Sequence, residues 1–318
     1  MTELSNLTRC DVASAWPKRN ALIESLMGVS LRSEQQLLAY NARTDADNAV
    51  NLVPSVEYAG LGRDLQFKAI ALALNQEPWL PALAKPVAYR LFSNKLNFFW
   101  HENFRVLYKD SGRVLNMFNV SLAVTDMAFA FLLGWTEEAV YQGYLTHAVL
   151  SRKHYLTLQY ENEHRRAQAF MMQMFADWRG DVAHNWPAYA YDEPVYHGLL
   201  ERWRDPDAAS LVPWLRAACN LHTHQAARET STYFFDFSDY ILVRTPIEIL
   251  MLYRLRQLLG LENPELDHPL LETPFDRLPD PQPNYAPDDL MLDTFSRVRQ
   301  DWPAFDQTVS IESILAHG

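Results

Sequence analysis

The stretch Thr245-Pro246-Ile247-Glu248-Ile249-Leu250-Met251-Leu252-Tyr253-Arg254-Leu255-Arg256-Gln257-Leu258-Leu259-Gly260 carries signals for both ends of one helix. Thr245 is an N-cap candidate and Pro246 suits the first helical position. Glu248 stands three residues after the cap, the spacing of a capping box. Ile247, Leu250, Leu255, Leu258 and Leu259 supply the expected buried stripe, and Gly260 stops the helix. Arg254 and Arg256 sit in the half where positive charge suits the helix dipole.

Working outward, the same 3.6-residue logic recurs. A helical block is expected over 63–108, broken near Pro78 and Pro81. A helix over 113–133 follows, closed by Gly134, after which Thr136 caps a new one with Glu137 and Glu138 at its positive end. Over 158–178, Phe170, Met171, Met174, Phe175 and Trp178 recur at three- and four-residue spacing. Beyond Gly260 the character changes: Pro264, Pro269, Pro274, Pro279, Pro281, Pro283 and Pro287 exclude a helix, because each internal proline would cost ~3 kcal/mol. The expectation is an extended strap over the helical body, anchored by Leu266, Leu270, Leu271 and Phe275. A last helix over 288–302 carries Leu290, Leu292, Phe295 and Val298.

Composition agrees with an all-α chain, a compact multi-helix array or bundle. Only 10 of 318 residues are glycine, too few for the frequent turns of a sandwich or barrel. Hydrophobic residues make up 48% and aromatics 13%, which supports a packed core rather than disorder. Two helical halves, residues 1–150 and 151–318, are expected to pack as one globular unit. No apolar run resembles a signal peptide, and the most apolar stretch, 120–135, falls short of the ~20 residues of a membrane span. Cys10 and Cys219 lack partner motifs, so free thiols in a reducing cytoplasm are expected.

The formal net charge of −11 disfavours nucleic acid as a partner and favours a basic protein. Its distribution is uneven. Glu262, Glu265, Asp267, Glu272, Asp276, Asp280, Asp288, Asp289 and Asp293 crowd the proline-rich region with Arg277 as the only base among them. The aromatic run Tyr233-Phe234-Phe235-Asp236-Phe237 is core or an apolar centre for a contact. On the second reading, Asp236, Asp239, Glu262, Glu265, Asp267, Glu272 and Asp276 form a partner-binding surface with Tyr233 and Phe235.

Catalytic signatures are incomplete. There is no Gly-x-Ser-x-Gly elbow, P-loop or dinucleotide fingerprint. Glu161-x-x-His164 has the spacing of a di-iron helix motif, which needs a second copy plus further glutamates. Asp181-x-x-His184 lies near a helix end, and Glu265-x-x-His268 lies among prolines. A helical metal-dependent oxidase would draw on Glu161, His164, His184 and His147 or Glu229. No cofactor is expected on the competing reading of a binding protein.

One resemblance bears on that competition. Tyr240-Ile241-Leu242-Val243-Arg244-Thr245-Pro246-Ile247-Glu248-Ile249-Leu250, then Leu255-Arg256-Gln257-Leu258-Leu259-Gly260-Leu261 and Pro264-Glu265-Leu266-Asp267-His268-Pro269, resembles the C-terminal part of the immunity proteins that neutralise PoNe-type DNase toxins. It is also similar to related helical immunity proteins of bacterial polymorphic-toxin and type VI secretion systems. After the Asp-His-Pro step this chain has Leu270-Leu271 where that pattern has tyrosines. The resemblance implies a cytoplasmic, non-enzymatic helical protein that binds a cognate toxin with a basic surface.

Overall fold

The structure is a computed structural model that describes residues 31–44, 53–108, 118–151, 165–182, 193–226 and 235–316. It is mainly helical, with no strand among the described residues, as expected. After a helical stretch over 31–41 (α1) come α2 (Val53–Leu74), α3 (Leu80–Tyr108), α4 (Val120–Leu132), α5 (Thr136–Ser151) and α6 (Arg166–Arg179). They are followed by α7 (Pro194–Leu200), α8 (Val212–Gln225), α9 (Ile247–Leu258), α10 (Asp289–Asp301), α11 (Phe305–Thr308) and α12 (Ile311–Leu315). None of the described helices is long and apolar enough to cross a membrane.

Helix α4 is the centre of the array. It is apolar on nearly every side, and such a helix is stable only when covered all round. Its residues are buried except Ser121 and Leu122, and α3, α5, α6 and α9 pack against it. The one acid in this apolar run, Asp126, accepts from Arg90 at 2.6 Å and from Asn94 at 2.9 Å, so the buried charge is neutralised in place. Asn119 starts the helix by accepting from the Leu122 N–H. Gly134 ends it with φ +77, a conformation that L side chains rarely adopt.

Gly134 also allows the close approach of the C-terminal strap. A Cβ built there would lie 2.6 Å from the Pro281 side chain. With that contact made, Gln282 N–H donates to the Leu133 carbonyl at 2.8 Å. The Trp135 indole donates to the carbonyls of Gln282 and Pro283. Leu270, Leu271 and Phe275 are buried and Leu266 packs against the core, so the expected anchors hold the strap down. A short 3-10 turn, Pro269–Leu271, interrupts its extended course.

Several local expectations need correction. The first block begins at Val53, ten residues before Arg63, and breaks after Leu74. The clearest helix, α9, has no capping box. The Thr245 hydroxyl donates to the Ile241 carbonyl at 2.7 Å, and Glu248 faces His222 instead of its own helix N-terminus. Both side chains are fully buried, where a partner across the fold competes with the local backbone. The stripe is also shorter than expected. Ile247, Leu250 and Leu255 are buried, whereas Leu258 and Leu259 are each 43% exposed where the helix leaves the core. Gly260 does stop it, with φ +72. Asp288 caps α10 by accepting from the Met291 N–H.

Candidate functional site

Two arginines of α9 hold the strap in place. Arg254 is buried and donates to the carbonyls of Phe131 and Leu132 at 3.0 Å and of Pro279 at 2.7 Å. One guanidinium thereby satisfies the open carbonyl end of α4 and fastens the middle of the strap. Arg256 is also buried and donates to the carbonyls of Trp203, Asp205 and Glu262. The arginines thus serve other parts of the backbone, beyond the dipole of their own helix.

That anchorage points the backbone inward and leaves the acids outside. Glu262, Glu265, Asp267, Glu272, Asp276, Asp280, Asp289 and Asp293 are all exposed. Among the described residues, the only ion pair these acids make is the solvent-exposed contact of Asp276 with Arg277 at 3.7 Å. The result is a ribbon of open negative charge on a backbone with fixed attachment points.

The acids before α9 have another environment. Asp236 is 3% exposed and lies over the N-terminus of α6, accepting from the backbone N–H groups of Arg166 and Ala167. Burial pushes its carboxyl up to about 7 against the opposing pull of Arg165, Arg166 and those two N–H groups. Gln168 donates to the Asp236 carbonyl at 3.0 Å, and Arg165 donates to the Phe235 carbonyl at 3.2 Å. Asp239 is half-buried, accepts from the Ile241 N–H and lies 3.6 Å from Arg63. Asp236 therefore lies beneath the surface expected to bind a partner, and Asp239 has partners within the fold.

Next to Asp236 is a polar cluster that no local sequence pattern announces. His222 Nδ1 meets Glu248 Oε1 at 2.8 Å, its Nε2 donates to the Leu242 carbonyl at 2.9 Å, and its ring stacks on Phe237 at 3.7 Å. A carbonyl can only accept, so Nε2 carries a proton. Tyr196 stacks on Phe170 at 4.6 Å. Its hydroxyl, like Glu248 Oε2, Asp236 Oδ1 and Gln168 Oε1, is buried without a hydrogen-bond partner among the described residues. The residues come from α6, α7, α8, α9 and the segment before α9, so only the folded chain brings them together. The partner of His222 is Glu248, on a different helix, and no neighbour in sequence.

The remaining candidates divide by location. Phe235 is half-buried at the edge of the acidic Asp236 turn. Tyr233, Phe234, Glu161, His164, His184, Glu229 and Cys10 lie outside the described residues. His147 is buried in α5, and Asp181 is exposed, accepting from the Tyr144 hydroxyl and from Arg179. His268 is buried and accepts from the Leu270 N–H, a role unrelated to Glu265. Cys219 is a buried free thiol. Among the described residues no group of three or more His, Cys, Asp or Glu side chains is placed to hold a metal ion. No protein-family model, curated protein or solved structure matches the chain.

Proposed function

We propose that this chain is an immunity protein that binds a cognate bacterial toxin, a nuclease with a basic substrate cleft, and occludes it with an acidic surface. The observation that supports this reading is the strap over 262–293. All its acids except Asp288 are exposed, and apart from Asp288 with Lys85 and Asp276 with Arg277 none is ion-paired among the described residues, while Arg254 and Arg256 hold its backbone to the core. A surface fixed before contact loses little conformational freedom on binding. Open negative charge would raise association above the ~10⁵–10⁶ M⁻¹s⁻¹ of neutral pairs. The exposed Leu258 and Leu259, beside Glu262 and Glu265, offer an apolar centre in place of the expected aromatic one.

The test is co-production with a PoNe-type DNase encoded beside the gene. Protection of the cells and a stable complex are expected. Reversal of Glu262, Glu265 and Asp267 to lysine together should slow association and weaken protection. An unprotected cell with the unaltered chain would refute the assignment to that toxin class. Stoichiometric iron or manganese in protein purified without chelator would favour the oxidase reading through Glu161 and His164 instead.

A further inference from the structure

On another face, α3, α5, α10 and the strap enclose a cleft of about 140 Å³. Its walls include Phe92, Trp135, Tyr141, Tyr285, Met291 and Phe295. The volume matches the ~150 Å³ that accommodates a benzene ring in an apolar cavity. The walls are preformed: Trp135 is hydrogen-bonded to the strap, the Tyr285 hydroxyl donates to Asp288 at 2.9 Å, and Phe92 packs on Phe295 at 4.2 Å. Among these residues stands one cation, Lys95. Its ammonium lies 4.4 Å from the centre of the Tyr141 ring, and among the described residues no carboxylate comes within ion-pair distance of it. Nearby Arg299 is already bound by Asp306 at 2.8 and 3.0 Å. Glu138 lies on the exposed rim.

We propose that this cleft binds a small aromatic monocarboxylate, with its ring against Trp135, Tyr285 and Phe295 and its carboxylate on the ammonium of Lys95. The ring fills a space of ring size bounded by aromatic faces, where offset or edge contacts are favourable. The carboxylate supplies a direct ion pair, which neither Glu138 nor Asp306 makes with Lys95 although both act on it electrostatically. Burial, helped by Arg299, lowers the affinity of the Lys95 amine for its proton against the opposing pull of Glu138 and Asp306, so an anion in direct contact favours the charged form further. Glu138 at the rim limits the ligand to one negative charge, because a second carboxylate would meet it.

Saturation-transfer NMR and calorimetry with phenylacetate, benzoate and the uncharged phenylacetamide test the site on the full chain. The acids should bind in the millimolar range or tighter, as expected for so few atoms. The amide should bind at least about ten-fold more weakly, because it cannot pair with the ammonium. Lys95→Met, which keeps the apolar stem, should lower acid affinity about ten-fold, and Lys95→Arg should retain most of it. Unchanged circular dichroism melting of both variants establishes that the fold is intact. Equal binding of acid and amide, unaltered acid binding by Lys95→Met, or no transfer signal at about 10 mM acid would each overturn the proposal. Its failure leaves the toxin-binding reading untouched, since Glu262, Glu265 and Asp267 do not line the cleft.

Discussion

The acidic residues on either side of the Thr245–Gly260 segment look alike in sequence and differ in every physical respect in the fold. Before it, Asp236 is buried over a helix N-terminus and Asp239 is turned toward Arg63. Within its first turn, Glu248 is fully buried against His222. After it, Glu262, Glu265 and Asp267 are exposed, and none of them is ion-paired among the described residues. The difference teaches that an acidic run is a surface only where its backbone is the part held inward. Arg254 and Arg256 impose that orientation on the strap by taking its carbonyls. Around Asp236 and Glu248 the side chains themselves are the points of attachment.

The sharpest way to break the comparison is Glu248→Ala. It would leave His222 buried opposite nothing, and stability should fall by roughly 3–5 kcal/mol in denaturant unfolding. A loss below ~1 kcal/mol would mean that water or a rearranged side chain replaces the carboxylate. Leu255→Ala, at a fully buried position of the same helix, should cost ~2–5 kcal/mol, whereas Leu258→Ala should stay within about 0.5 kcal/mol. Equal losses at the two leucines would show that the exposed end of α9 is covered in solution.

Asp236 sharpens the contrast through pH. Its carboxyl ionises at the ordinary 3.8 in the unfolded chain and at about 7 in the fold. Between those values the folded state holds one more proton, so this group makes the protein more stable as pH falls from about 7 toward 3.8. Buried His101 acts oppositely, because burial depresses it from 6.5 to about 4 and its neutral form is the one that folds. Its contribution is lost as pH falls through that window. Asp236→Asn should therefore remove the acid-side gain and leave the His101 loss, so the variant should lose stability more steeply than the unaltered chain between pH 6.5 and 4. Parallel curves would place Asp236 in contact with solvent.

A smaller effect is expected at Thr245. Thr245→Ala removes a buried hydroxyl bonded to the Ile241 carbonyl and should cost about 0.5–1.5 kcal/mol in thermal unfolding. Small effects on stability at each site are also expected from the reversal of Glu262, Glu265 and Asp267. Being exposed, they should together change the unfolding free energy by no more than ~0.5 kcal/mol per site. The same variant should lose the salt dependence of association with a basic partner. Stability loss on a larger scale would show that the strap acids are structural after all.

Much of the helical frame was legible in advance because its signals are local. Gly134 and Gly260 stop helices where expected, and both have positive φ. Phe170, Met171, Met174 and Phe175 are buried at their periodic spacing, and the prolines after Gly260 keep the strap from becoming a helix. The candidate site was less legible. Exposure of the strap acids followed from charge and proline content, but the cluster of Tyr196, His222, Asp236 and Glu248 spans separate elements and left no motif.

What the sequence determined by itself was the helical class, the main interruptions of the chain and the acidic character of its C-terminal region. Each depends on backbone geometry or solvation within a few residues. The tertiary structure alone decided what the polar side chains serve. It set Glu248 against His222 rather than on its own helix end, Arg254 on the carbonyls of α4 and the strap, and Asp236 beneath the surface. The physical reason is that a polar group removed from water must find its partner wherever the fold brings one within about 3 Å, and sequence distance places no constraint on that choice.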